Sequence, residues 1–256
     1  MKKLLALVFV AALACSLSSC LPDDGYTYSS QFSRIVTIDH SVSPIRFYCD
    51  YTNEIMELDN IKTDSDLGPF NLKNADRALI KIQLDAKATA AEYNLLEGSP
   101  IKSRPVSVQS LDGVAGIQPV FGFEQLQLER GWLYPYAWVS RGYLNIIPQI
   151  LSDEDAEPYL VPQAVSRDTL KFNLKMKYEL GEQNYRAQYA CFDLRSLADT
   201  VQADSTVRPV MRQMIDRLHN EQDSVMVVVT ADLQNIYPDT VITATVPTNY
   251  FFLHLN

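Results

Sequence analysis

Residues 170–180 read LKFNLKMKYEL, and their alternation decides the fold class. Leu170, Phe172, Leu174, Met176, Tyr178 and Leu180 are apolar or aromatic, whereas Lys171, Asn173, Lys175, Lys177 and Glu179 are polar. Such a period of two describes a β-strand with one buried and one wet face. A strand of that kind belongs to an antiparallel sheet. Gly181-Glu182-Gln183-Asn184 then reads as a turn, with residues 185–194 as the return strand. Further strands fall at 143–150, 225–233 and 241–255. Together they predict an antiparallel β-sandwich over residues 110–256. One segment breaks the pattern. Val210, Met211, Met214, Ile215 and Leu218 share one face of a helix between Pro209 and Asn220. The apolar stripe reads as what holds a cap on one open end of the sandwich. A partner-binding helix is the alternative.

Toward the N-terminus the strands shorten. Strand patterns occur at 32–38, 45–48, 55–58, 93–96 and 106–108, and residues 59–76 read as loop. Within 78–84, Ile80, Ile82 and Leu84 alternate with Lys81 and Gln83. Five or six short strands in this space predict an OB-like barrel over residues 32–109. Residues 110–116, SLDGVAG, read as a boundary between the two units. The fold class is thus mainly β: an N-terminal OB-like barrel, then an antiparallel β-sandwich with one inserted helix. At roughly 100–200 residues per domain, a chain of 256 accommodates both.

Lys and Arg number 22 and Asp and Glu 31, a net charge of −9. An acidic surface repels polyphosphate, so nucleic acid is not an expected partner. None of the 9 glycines builds a phosphate loop. The first residues read as a targeting segment: basic Met1-Lys2-Lys3, an apolar run over 4–14, then Leu17-Ser18-Ser19-Cys20. The apolar run is too short to span a bilayer. Leu-Ser-Ser-Cys resembles the lipobox of bacterial lipoproteins, in which the cysteine is acylated and becomes the new N-terminus. The alternative is an ordinary cleaved signal. Under the lipobox reading residues 1–19 are a signal peptide, Cys20 carries lipid (palmitate), and two or three acyl chains anchor the protein stably. Losing Lys2 and Lys3 takes the charge from −9 to −11. Residues 20–31 read as a tether. Cys49 and Cys191 show no paired spacing and read as buried free thiols rather than a disulfide.

The opening CLPDDGY (20–26) follows the lipobox directly. FNLKNADRALIKIQL (70–84), AWVSRGYLNIIPQI (137–150), NYRAQYACFDLRSL (184–197) and DSVMVVVTADL (223–233) come later. Together these stretches resemble the NigD-like lipoproteins of the Bacteroides group across nearly the whole mature chain. The resemblance implies an N-terminal OB-type domain and a C-terminal β-sandwich, with residues 199–223 extending a family loop. It implies no catalytic residues and no cofactor. The family's name comes from a bacteriocin-associated operon, so an accessory or immunity role toward a secreted antibacterial protein is one implied function. Leu21 fits outer-membrane sorting, and Asp23-Asp24 resembles the surface-export signal of this group. Asp followed by Ser or Thr and then an apolar residue or Thr resembles its O-glycosylation sequon. Among five instances, Thr200 and Ser205 are the better candidates, because strand starts explain Thr169, Ser224 and Thr240.

No constellation of catalytic residues stands out. A nucleophile elbow is missing, and His40, His219 and His254 fall in three different elements. His219 suits a helix C-terminus without further role. No HExxH or paired-cysteine spacing points to metal, so none is expected. Asp153-Glu154-Asp155 with Glu157 reads as a solvated hairpin tip rather than a calcium loop. A hydrolase would need a carboxylate pair flanking a cleft, which sequence spacing does not reveal. Trp132, Tyr134, Tyr136 and Trp138 recur at period two and would form an aromatic row able to stack on a glycan or protein partner. Sandwich core is the favoured reading of the row, and Pro135 argues against one regular strand. The expected function is non-enzymatic: a lipid-anchored, outer-membrane, surface-exposed envelope protein that binds a protein or glycan. An immunity component and an unrecognised hydrolase are the alternatives.

Overall fold

The computed structural model describes residues 28–50, 52, 54–87, 90–129, 132–166, 168–181, 184–220, 225–235 and 240–251. The signal peptide, Cys20, residues 20–27 of the tether and His254 lie outside the described residues, as do the side chains of Trp132 and His219.

The architecture is mainly β. The first unit is one antiparallel sheet of β1 (Tyr28–Asp39), β2 (Arg46–Cys49), β3 (Ile55–Met56), β4 (Arg77–Lys87) and β5 (Ala90–Pro100), in the order β3-β2-β1-β4-β5. This curled sheet is a half-barrel, and the gap between β3 and β5 is bridged by side chains. Asn60 Oδ1 accepts from the Leu95 amide at 2.8 Å while Asn60 Nδ2 donates to the Leu95 carbonyl at 2.9 Å. One amide side chain thus stands in for a strand rung. A 3-10 turn over Asp64–Phe70 lies between β3 and β4, within the predicted loop. Ile80 and Ile82 point into a core with Val36, Phe47, Leu58 and Leu72. β1 begins inside the expected tether. Tyr28–Gln31 pair with residues 83–86, because β4 extends far enough to offer them a ladder.

The second unit runs β6 (Ser103–Pro105), β7 (Ile117–Gln118), β8 (Gly122–Phe123), β9 (Gln127–Glu129), β10 (Trp132–Leu133), β11 (Ala137–Ser140), β12 (Tyr143–Ile146), β13 (Pro148–Leu151), β14 (Glu157–Val165), β15 (Thr169–Lys177), β16 (Tyr185–Ala187), β17 (Ala190–Asp193), α1 (Val207–Asn220), β18 (Val225–Asn235) and β19 (Thr240–Phe251). One sheet has the order β11-β12-β17-β6 and another β14-β15-β18-β19, with β16-β13-β8 as a smaller third. The inward residues of β15, Leu170, Phe172, Leu174 and Met176, are all buried, as is Tyr178 just past its end. Leu180 lies past the strand end and is exposed.

The expected hairpin after β15 does not form. β16 pairs with β13, and β17 pairs with β12, so the strands that follow β15 join other sheets. Both edges of β15 are already taken, by β14 antiparallel and by β18 parallel. The helix appears two residues earlier than predicted. Asp204 caps its first turn, accepting from the Thr206 and Val207 amides at 2.9 and 2.8 Å. Its stripe of Val207, Met211, Met214 and Leu218 is buried in the sandwich core beside β14.

Candidate binding groove between the two units

The register of the first sheet sets Thr37 of β1 opposite Arg77 of β4. Asp50 continues β2, its amide donating to the Ile35 carbonyl at 2.9 Å. All three residues therefore meet on the face turned away from the barrel core. There Arg77 and Asp50 form a fully buried, two-pronged ion pair, with both N–O distances 2.6 Å. Arg77 also donates to Thr37 Oγ1 at 2.9 Å. The second unit closes the site from outside. Trp138 Nε1 donates to Asp50 at 2.9 Å, and Asn145 Oδ1 accepts from Arg77 at 3.0 Å and from the Tyr189 hydroxyl at 2.6 Å. Two guanidinium groups lie over the ring of Tyr143, that of Arg77 at 5.0 Å and that of Arg195 at 4.5 Å. Burial works against the charge on Arg77, but the Asp50 carboxylate more than restores it, and its pKa is raised.

The hairpin β11–β12 presents these partners. Arg141 and Gly142 both hold positive φ, at 51° and 81°, giving the two-residue turn that matches strand twist. Trp138 consequently pairs directly with Asn145. Arg141 stacks on Tyr48 of the barrel at 3.9 Å. Ile35, Tyr134 and Trp138 form a small apolar cluster of their own beside this network, joined by Leu79, Ile101, Leu126 and Tyr189.

An open groove of about 430 Å³ runs along the same junction. Ile35, Leu79, Ile101, Leu126, Tyr189 and Ala190 line its apolar walls, and its charged side chains, Lys102 and Arg104, are both cationic. Arg104 lies 3.7 Å from Glu157. Lys102 is exposed and makes no ion pair among the described residues. The groove is tied to the buried network through its floor, where the Ile101 amide donates to the Arg77 carbonyl at 2.8 Å. It continues past Lys102 along residues 103–109.

The aromatic row does not share a face. Tyr134 and Trp138 are core, Tyr136 is exposed, and Pro135 lies outside any strand. Tyr134 and Trp138 therefore hold the units together and offer no surface to a partner. Ser205 is exposed and Thr200 half-buried, in the connection before α1. The Asp204 that precedes Ser205 is used as the helix cap. Cys49 and Cys191 are free and buried, and burial pushes their thiols up to about 12 and about 11. His40 bonds Asp64 at 2.7 Å and the Ala75 carbonyl at 3.0 Å. Among the described residues no group of three or more His, Cys, Asp or Glu is placed to hold a metal. Asp153, Glu154 and Asp155 are exposed, and Asp155 pairs with Arg186 at 2.7 Å. Three carboxylates, Asp39, Asp66 and Asp204, have lowered pKa values, each held down chiefly by hydrogen bonds it accepts.

The sequence reading missed Asp50 and Arg77. Its available signal was Leu79, which breaks the alternation of β4 and shows a strand apolar on both faces where it meets the second unit.

No protein-family model matches the chain, and no curated protein matches it. Solved structures do. A Bacteroides fragilis NCTC 9343 protein described as a putative lipoprotein aligns at TM-score 0.51 and 13% identity, covering 87% of this chain and 99% of that one. A NigD-like immunity protein from Bacteroides caccae ATCC 43185 aligns at TM-score 0.46 and 12% identity, over 86% and 93% of the two chains. A putative toxin-related protein from Parabacteroides distasonis ATCC 8503 aligns at 0.48 and 16%, over 84% and 93%. The two-unit β architecture is a fold this chain shares with the Bacteroides fragilis protein along almost the whole of that protein's length.

Proposed function

We propose that this is a non-enzymatic, lipid-anchored protein of the bacterial outer membrane that binds a protein partner along the groove between its two units. The observation that carries the reading is the groove itself: apolar walls, a cationic rim on which Lys102 makes no ion pair among the described residues, and a buried network behind it. An apolar cleft with a few charges is how proteins hold side chains of a partner. A glycan is the weaker occupant, because Tyr134 and Trp138 of the aromatic row are core. The anchor rests on Leu17-Ser18-Ser19-Cys20, and a fold shared with a protein described as a putative lipoprotein supports it. Among the described residues no helix is long and apolar enough to cross a membrane. Hydrolysis by a carboxylate pair would call for a carboxyl of raised pKa, whereas Asp39, Asp66 and Asp204, the shifted carboxylates among the described residues, move down. An immunity role is a narrower form of the same reading, in which the partner is a secreted antibacterial protein; the CLPDDGY opening and its companion stretches favour it.

A photo-crosslinking residue at position 102 of the full chain, expressed in its native cells, tests the reading. Expected are a mature N-terminus at acylated Cys20 and a discrete protein adduct that Ile101→Asp abolishes. An unacylated N-terminus overturns the anchor, and the absence of an adduct overturns the groove.

A further inference from the structure

The groove at the junction is the middle of three hollows that follow one another along residues 100–109. Toward residue 100 lies a polar hollow of about 620 Å³, walled by Asn71, Lys73, Asn74 and Asp76. Toward residue 109 lies one of about 450 Å³, walled by Val106, Val108, Glu157 and Asp199. Lys102 borders all three. At about 3.3 Å per extended residue, the trough is at most about 30 Å long. Its charges are unevenly placed. Lys102 and Arg104 border the apolar middle, and no carboxylate does. Arg104 lies 3.7 Å from Glu157, and the last hollow adds Asp199, so that end is balanced. Lys73 and Lys102 are exposed and make no ion pair among the described residues, and Asp76 is the carboxylate lining their hollow. A positive end thus sits on a chain whose net charge is −9. At physiological salt the Debye length is about 8 Å, so a ligand in the trough meets these local charges and not the distant total.

We propose that the trough holds an extended segment of the protein partner, with an apolar side chain in the middle hollow and carboxylates on Lys102 and Lys73. This rests on the groove being the partner's site and adds the chemistry of what enters it. Ile35, Leu79, Ile101 and Leu126 supply the apolar seat. In an extended chain alternate side chains share a face, about 6.6 Å apart. A residue seated among those walls directs the side chains two and four positions away along the trough, on one side toward the two lysines. The segment therefore reads apolar–x–acid–x–acid, in one direction or the other. A phosphodiester chain would set charge against aliphatic walls that offer it no donor, whereas a peptide alternates the two kinds of group. The apolar seat anchors the segment, and the lysines fix its register and disfavour basic segments.

A photo-crosslinking residue in place of Ser99, which is exposed and lines the groove, tests this in the full chain in its native cells. The adduct yield is expected to fall at least fivefold in Lys73→Glu/Lys102→Glu and to persist in Lys73→Arg/Lys102→Arg. Lys177→Glu/Arg212→Glu makes the same change of charge at other exposed positions and should leave the yield unchanged. Thermal midpoints of the purified variants check that each is folded. Peptide mass spectrometry of the adduct should find two or more Asp or Glu within five positions of the crosslinked residue. An adduct indifferent to charge reversal, or mapped to a segment without carboxylates or to a second copy of this chain, overturns the proposal and leaves the groove as a protein site. No adduct, or one with lipid or glycan, overturns both.

Discussion

Replacing Asp50 with alanine isolates the buried seam. Both members of the Arg77–Asp50 pair have no exposed side-chain surface, so the guanidinium left behind cannot be hydrated in place. The substitution deletes two charge-assisted hydrogen bonds to Arg77 and the one from Trp138 Nε1. Thr37 and Asn145 remain as neutral acceptors, but neither balances the charge. Removing one partner of a buried pair costs about 3–5 kcal/mol. For a chain of this size that lowers the thermal midpoint by about 6–20 °C. Urea unfolding followed by tryptophan fluorescence and by circular dichroism would measure it. Separate transitions by the two probes would report that the units now open independently, since Trp138 lies at the seam. The double variant Asp50→Leu/Arg77→Met, which leaves no stranded charge, should lose less than Asp50→Ala alone. A cost below about 1 kcal/mol for Asp50→Ala would refute the reasoning, because it would mean that water or another acceptor reaches Arg77.

Other outcomes follow from local geometry. Both ring nitrogens of His40 face acceptors, so the doubly protonated ring suits the site; burial opposes that charge, but Asp64 and the Ala75 carbonyl prevail and raise the pKa. Its stabilising contribution is complete below the unfolded value of about 6.5 and disappears as pH rises through the higher folded pKa. Urea midpoints measured from pH 5.5 to 8.5 should show this loss in the native chain and not in His40→Gln. Gly98→Ala would place a Cβ 2.6 Å from Cδ1 of Leu72, a fully buried core residue, and should cost about 1–3 kcal/mol in the same denaturation assay. Cys49 and Cys191 should react with a thiol reagent at the rate of unfolding, not at the rate of a free thiol, because both are buried with raised pKa values.

What the sequence disclosed and what it hid divide along physical lines. Periodicity exposed β15 and the stripe of α1, because each buries one face and leaves the other wet. The strands of the first unit and the loop at residues 59–76 were likewise legible. Partner choice was not. Residues 185–194 look like a return strand, yet their strands pair in two other sheets, since pattern reports which face is buried and not which neighbour supplies the edge. Trp138 was visible as an aromatic and assigned to the core by preference, but its mate Asp50 is a charged residue just past a strand end. Nothing local distinguishes such an aspartate from a solvated one. The groove was invisible for the same reason, as its walls come from segments more than 100 positions apart.

The ion pair at the seam also has a chronology. Thr37, Asp50 and Arg77 all belong to the first unit, whereas Trp138, Asn145 and Tyr189 belong to the second. As the chain emerges, the pair is assembled while still wet, and its charges find each other at little desolvation cost. Only when the second unit docks is water expelled, and by then both terminal guanidinium nitrogens of Arg77 already hold Asp50, with Thr37 as a further acceptor. The order of synthesis thus spares the growing chain a stranded buried charge, and it makes docking of the β11–β12 hairpin the step that commits the two units to each other.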